Sequence, residues 1–411
     1  MKTTYFSFAF LICIFTAACN KISDNDINRQ PAEVLMQNGE VIANKGWELF
    51  IKSAESKETE NVLISPYSIH TALAMARNGA GSETEFEFQR FLQKAPYADL
   101  QSFNRAQKDL SALMRIQSGH PKLGIYNAFF YDDNRINVQQ NFLSNLRESY
   151  DAQTIKSDFN QTDQALKQIN DWVINSTKGR IKRVLDQIQS EDLAFLINAI
   201  HFKSDWSTAF DKQMTTTGSF NSTSGEIPDI QFMQADREIT SYADEQLMLI
   251  DLPFRDSTYS ISFIMPRSES TSVNSWLVQT NFSSIQKAWS NLTYGRILLT
   301  LPKFKLEYEE QLIPNLQGLG LETAFNPSLS DFSPMGNARI GPNIYISSVF
   351  HKAVLEIDEK GAEGAAVTSI TFSTTSLPPS FRFDRPFVLL LRHIPTSTVL
   401  FAGKVEKPIQ K

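Results

Sequence analysis

The side chains that most often carry chemistry are sparse in this sequence and keep the wrong company for a hydrolase. Five histidines, His70, His120, His201, His351 and His393, are scattered over 411 residues with neither an HExxH pair nor another metal-ligand spacing. A GxSxG nucleophile elbow, a GxxxxGK[ST] phosphate loop and a GxGxxG turn after a strand are all missing. The glycines of ARNGAGSET, Ala76 to Thr84, read as a helix stop and a turn. The sequence therefore predicts a protein that is not an enzyme, with no metal site and no cofactor. A surface hydrolase assembled from scattered Ser, His and Asp is the alternative from this class.

Cysteine usage points to export. Lys2 precedes an apolar stretch from Tyr5 to Phe15, and Ala17 and Ala18 stand before Cys19; the run is too short for a spanning helix and fits a signal. The small pair ahead of a cysteine resembles the lipobox of bacterial lipoproteins. That reading makes residues 1–18 a signal peptide and Cys19 the acylated residue. Residues 19–32, polar and rich in Asn and Asp, become a flexible tether. Cys13 leaves with the signal, so the mature chain has no disulfide. The expected location is extracytoplasmic, lipid-anchored to a bacterial outer membrane, with ordinary secretion as the alternative. Net charge is −6 with both signs interspersed, which excludes a basic face for nucleic acid and leaves the lipid as the only membrane contact.

The elements behind these residues divide along the chain. Ser65-Pro66 supplies an N-cap and a first-turn proline, and Ile69, Ala72, Leu73 and Ala76 follow at helical spacing. Ala165, Leu166, Ile169, Trp172 and Val173 mark one face of a second helix. Runs beginning at Leu123, Asp192, Tyr259, Arg296 and Phe387 are rich in β-branched and aromatic residues and read as strands. Helices first and strands later predict an α+β domain, and no linker interrupts residues 33–411, so one domain is expected.

At this point six blocks carry a family resemblance: NVLISPYSIHTALAMARNGAGSET from Asn61, INDWVINSTKGRIKRVL from Ile169, FLINAIHFKSDWSTAFD from Phe195, LPKFKLEYEEQLIPNLQGLGLETAF from Leu301, FHKAVLEIDEKGAEGAAVTS from Phe350, and FRFDRPFVLLLRHIPTSTVLFAGKVEKP from Phe381. Each resembles a serpin block, and they fall in serpin order. The resemblance implies a large, mainly antiparallel central sheet of five strands, two smaller sheets, about nine helices and an exposed reactive loop, here residues 359–379. It implies a monomer that acts as a suicide substrate: a serine or cysteine endopeptidase attacks the loop and is trapped when the loop inserts into the central sheet. A non-inhibitory serpin used for binding is the alternative.

The same resemblance assigns positions. Counting from Glu359, and back from SLPPSFRFDRPF, puts the bait bond at Thr375–Ser376, with Phe372 as an alternative cleavage point. The hinge comprises Glu359, Gly361, Ala362, Glu363, Gly364, Ala365, Ala366, Val367 and Thr368. Ser65, Ser68, Asn198 and His351 match a shutter beneath the sheet, and Trp206 and Lys303 match the breach where insertion begins. The residues themselves suit a loop that must become a buried strand. Ala362, Gly364, Ala366, Thr368, Ile370, Phe372 and Thr374 form one uncharged alternation, Glu363 falls on the other, and no proline follows Gly361 until Pro378. Thr375, small and uncharged, suits elastase-like, subtilisin-like or papain-like targets.

Overall fold

The computed structural model describes residues 32–93, 97, 99–115, 122–255, 257–339, 341, 343–361 and 378–409. The chain begins with α1 (Ala32–Glu55), β1 (Val62–Ile64), α2 (Pro66–Arg77), α3 (Ser82–Leu92) and α4 (Leu100–Arg115). Next come β2 (Lys122–Tyr131), β3 (Ile136–Val138), α5 (Gln140–Tyr150), β4 (Ala152–Lys156), α6 (Thr162–Ser176) and β5 (Ala194–Lys203). Strands then dominate: β6 (Thr216–Ser222), β7 (Gly225–Ala243), β8 (Leu247–Pro253) and β9 (Tyr259–Pro266), followed by α7 (Val273–Gln279) and α8 (Phe282–Ser290). The remainder is β10 (Thr293–Pro302), β11 (Phe304–Gln311), α9 (Ile313–Gln317), β12 (Gly336–Ala338), β13 (Phe350–Ile357), β14 (Ser380–Arg382), β15 (Phe387–His393) and β16 (Thr398–Val405). The fold is α+β, with nine α-helices among the described residues.

Local chemistry explains the two helices that matter most. Ser65 has extended backbone and its hydroxyl accepts from the Ser68 amide, while Pro66 needs no acceptor at the first helical position, so α2 starts there. Along α6, Ala165, Ile169 and Val173 are buried at four-residue spacing, and Leu166 and Trp172 lie half-buried at its edge. These three join Ala128, Phe130 and Ile197 in a small apolar cluster of their own, separate from the main core. Phe129 belongs to the main core. Successive residues of β2 thus face opposite sides, and α6 covers the side of the sheet away from α2.

Strands β9, β15 and β16 are buried on both alternations, as a sheet covered on both faces requires. They sit in a nine-stranded ladder, β1-β16-β15-β9-β8-β7-β10-β14 with β6 on β7. The 19-residue β7 carries this ladder from one layer of strands to the next. The apolar run from Arg296 becomes two strands. β10 ends at Pro302 in this ladder and β11 starts at Phe304 in the central sheet, with Lys303 between them.

The central sheet has its five strands in two groups, β4-β2-β5 and β11-β13. Among the described residues no ladder joins β5 to β13.

Candidate functional site: the opening in the central sheet

The two groups are pinned at both ends and part between them. At one end the Ser347 hydroxyl donates to the Asp192 carboxylate at 3.3 Å, just before β13 and β5 begin. At the other, the Trp206 amide donates to the Lys360 carbonyl at 2.9 Å and the Phe210 amide to the Glu359 carbonyl at 2.8 Å. β5 and β13 therefore run parallel, and among the described residues each is paired along one edge. Between them lies a cavity of about 550 Å³. Ile69, Leu73 and Ala76 of α2 line one side and Val173 of α6 lines the other. An unpaired strand edge is a row of unused donors and acceptors, and here two such edges face one space.

The chain has already turned into that space. Residues 358–361 form a tight turn in which the Asp358 carboxylate accepts from the amides of Lys360 (2.8 Å) and Gly361 (3.1 Å). Gly361 then bridges in antiparallel fashion to Asp205, beyond the end of β5, and to Asp358, beyond the end of β13. It thus links the far ends of the two groups across the space between them. Its φ is +138°, open to glycine and strained for other residues, and an added Cβ would meet the Ser204 oxygen at 2.4 Å and the Trp206 nitrogen at 2.7 Å.

Trp206 packs over this turn. Its ring stacks on Phe254 at 4.9 Å between centroids, and its Nε1 donates to the Asp358 carbonyl at 2.9 Å. Lys303 lies 3.2 Å from the Glu359 carboxylate, which also accepts from the Thr215 hydroxyl at 2.9 Å. Burial pushes the Glu359 carboxyl up, but its hydrogen bonds and Lys303 outweigh this and hold it below the usual range. Glu359 keeps only 5% of its side chain exposed against 29% for Lys303, so the pair is less solvated than a surface pair of about 1 kcal/mol.

Ser65, Ser68, Asn198 and His351 come together beneath the opening. The Ser65 amide donates to His351 Nε2 at 3.0 Å, which joins α2 to β13. The Ser68 hydroxyl donates to the Asn198 side-chain oxygen, which joins the same helix to β5. A residue with no assigned role on sequence grounds extends the cluster. Asn198 donates to Asn127 on β2 at 2.6 Å, and Asn127 donates to the Tyr150 carbonyl, also at 2.6 Å. Asn127 was visible as the one polar residue inside the apolar run NAFFY. Of the remaining assignments, Ala362, Glu363, Gly364, Ala365, Ala366, Val367, Thr368, Phe372, Thr375, Ser376 and Cys19 lie outside the described residues.

Three of the histidines, His70, His351 and His393, are buried. Burial lowers His351 to about 4, opposed by the nearby Glu310, and lowers His393 to about 4 and His70 to about 3. Unfolded, each would take up a proton near pH 6.5; folded, each resists until the pH is far lower. Their contribution to stability is complete above about pH 6.5 and is lost as the pH falls toward 4, each proton taken up costing about 1.4 kcal/mol per pH unit. Asp192 and Glu406, whose carboxyls burial raises, work in the opposite sense. The expected result is a urea midpoint that drops steeply between pH 6.5 and 4.5, with two to three protons taken up per chain on unfolding. A flat midpoint over that range would show that these rings titrate normally.

The same architecture and sequence blocks occur in known proteins. The family model described as "Serpin (serine protease inhibitor)" matches residues 40–408. The leukocyte elastase inhibitor of Xenopus laevis is 30% identical over 377 residues, covering 88% of this chain and 97% of that protein. The native-state crystal structure of tengpin, a thermophilic serpin, superposes with a TM-score of 0.82 at 30% identity, covering 92% of this chain and 95% of tengpin. Thyroxine-binding globulin in complex with thyroxine gives a TM-score of 0.81 at 25% identity, covering 90% of this chain and 99% of that one. With the family model matched over most of its length and the fold shared throughout, this chain belongs to the serpin family.

Proposed function

We propose that this protein is a suicide-substrate inhibitor of serine endopeptidases, and of some cysteine endopeptidases, that uses the opening between β5 and β13 as the receptacle for its own cleaved loop. The observation that carries this is Gly361, already bridged antiparallel to the ends of both strands at the head of an open, apolar slot. The target's nucleophile would attack the Thr375 carbonyl; the new ester or thioester bond forms as the Thr375–Ser376 peptide bond breaks, and the proton goes to the departing Ser376 amine. Residues after Gly361 can then fill the slot, antiparallel to both neighbours. Every backbone group on both edges gains a partner at roughly 1 kcal/mol net each, so a strand of about ten residues is worth on the order of 10 kcal/mol. That gain, made only after cleavage, is available to displace the attached peptidase and distort its site before hydrolysis. The protein supplies the bait and the spring but no catalytic group.

The leukocyte elastase inhibitor similarity and the small, uncharged Thr375 both favour elastase-like targets, with subtilisin-like and papain-like peptidases next. Residues 1–18 act in this reading as the signal, Cys19 carries the lipid that holds the chain outside the cytoplasm, and residues 33–411 work as a single monomeric domain. The test is a denaturing gel of the protein mixed with elastase-like, subtilisin-like, trypsin-like and papain-like peptidases, with mass spectrometry of the released peptide. A complex that survives denaturant, with release beginning at Ser376, is expected. Cleavage at that bond with no complex would instead make this a binding serpin, as the thyroxine-binding globulin likeness allows.

A further inference from the structure

His351 has a second neighbour whose chemistry the cluster beneath the opening does not use. In the antiparallel register of β11 and β13, Glu310 stands directly opposite His351. Side chains so paired lie on one face with their Cβ atoms about 5 Å apart. Glu310 is itself largely buried. One carboxylate oxygen takes Lys57 at 2.6 Å, while the other, Oε2, is buried and within hydrogen-bond criteria has no partner among the described residues. A buried carboxylate oxygen without a donor is costly and calls for an explanation.

The groups around His351 limit what could supply that donor. The turn after α1 contributes Lys57, already committed to Glu310 and to the Tyr308 hydroxyl, and Glu60. β11 contributes Glu310 itself and Tyr308, whose hydroxyl accepts from Lys57 and interacts with the Glu310 carboxylate. From α2 and β5 come the uncharged Ser65, Ser68 and Asn198. His351, while neutral, uses Nε2 as an acceptor for the Ser65 amide. Once protonated, the ring has two donors and no acceptor, so that bond must break.

We propose that Glu310 is the acceptor reserved for protonated His351, so that acid moves this histidine from α2 to β11 and unties the β11–β13 pair from the helix beneath it. The exchange replaces a bond between the pair and its support with one inside the pair. Its consequence for peptidase trapping rests on the reading of the slot as the place of insertion. The exchange itself does not, and it is tested without a peptidase.

The experiment follows the five histidine ring signals of the whole protein by NMR through a pH titration, with the His351 signal identified by its loss in His351→Gln. Amide exchange at Ser65 is measured over the same range. The expected result is that Glu310→Gln, which keeps the shape and removes the charge, lowers proton affinity at His351 about tenfold. Ser65 exchange, corrected for its intrinsic pH dependence, should rise at least tenfold as His351 titrates in the wild type. It should stay level in His351→Gln, whose amide oxygen can still accept from Ser65. An unmoved His351 titration in Glu310→Gln, or Ser65 protection that ignores that titration, would overturn the proposal while leaving the trapping mechanism standing. Failure of the gel test alone would do the reverse.

Discussion

Gly361→Ala is expected to destabilise the protein by roughly 3–5 kcal/mol and to separate the top of the central sheet. The added Cβ would lie within 3.0 Å of three backbone atoms, Ser204 O, Trp206 N and Asp205 Cα, none of which can swing aside as a side chain does. A residue held at such a φ costs about 1–3 kcal/mol by itself. Relief of the contact requires the Trp206–Lys360 and Phe210–Glu359 bonds to lengthen, at roughly 1 kcal/mol each. The proper control is Gly341→Ala. Gly341 also has a positive φ, +76°, but nothing within 4 Å of the missing Cβ, so it isolates backbone strain from the contact. Thermal melts should drop by several degrees more for the first variant than for the second, and amides 204–210 should lose exchange protection only in the first. Equal effects would mean that the seating of Gly361 between the strands contributes nothing.

Under the proposed trapping mechanism, Ala366→Arg is expected to turn an inhibitor into a substrate. In that mechanism, by the alternation starting at Ala362, residue 366 would face inward in the inserted strand, and an unpaired guanidinium carried into the apolar slot would cost several kcal/mol. Trapping of this kind would depend on insertion outrunning deacylation, so a penalty of about 3 kcal/mol in the inserting strand would slow it on the order of 100-fold. The bait bond should be cut at an unchanged rate, with the covalent complex falling to a few per cent of turnovers. Glu363→Arg places the same charge on the outward alternation and should keep most of the complex. If both variants trap peptidase equally well, the alternation has no bearing on insertion and the strand model of trapping fails.

What could be read along the chain was whatever one residue or one short run decides. Ser65-Pro66 started α2, and the four-residue spacing of Ala165, Ile169 and Val173 gave the buried face of α6. The strand runs from Leu123, Asp192, Tyr259 and Phe387 all became strands, and helices preceded sheets. The run from Arg296 was misleading in one respect: an apolar pattern continues through Pro302 and Lys303 although the chain changes sheets there, because alternation reports burial and not the identity of the neighbour. α1 left no short signal. Its buried residues are spread over 24 positions and rest on strands far along the chain, including β16.

The polar cluster was only partly legible. Ser65 and His351 are 286 residues apart, and nothing local at either predicts that a helix-starting amide will find a neutral ring nitrogen. Asn127 could have drawn notice as a polar residue in a run otherwise apolar, whereas Glu310 follows the exposed Glu307 and Glu309 in β11 and gave no such signal; the partners of both, Asn198 and Lys57, come from other strands and turns.

By itself the sequence determined the family, the α+β order, the helix caps and the uncharged alternation after Gly361, since each is a property of residue type at short spacing. Only the tertiary structure decided that β5 and β13 run parallel with no ladder joining them among the described residues, a cavity between them and Gly361 bridged to both at its mouth. The reason is physical. A strand edge is made of backbone N–H and C=O groups that nearly every residue carries alike, so a sequence can show which face of a strand is buried but not which edge has been left without a partner.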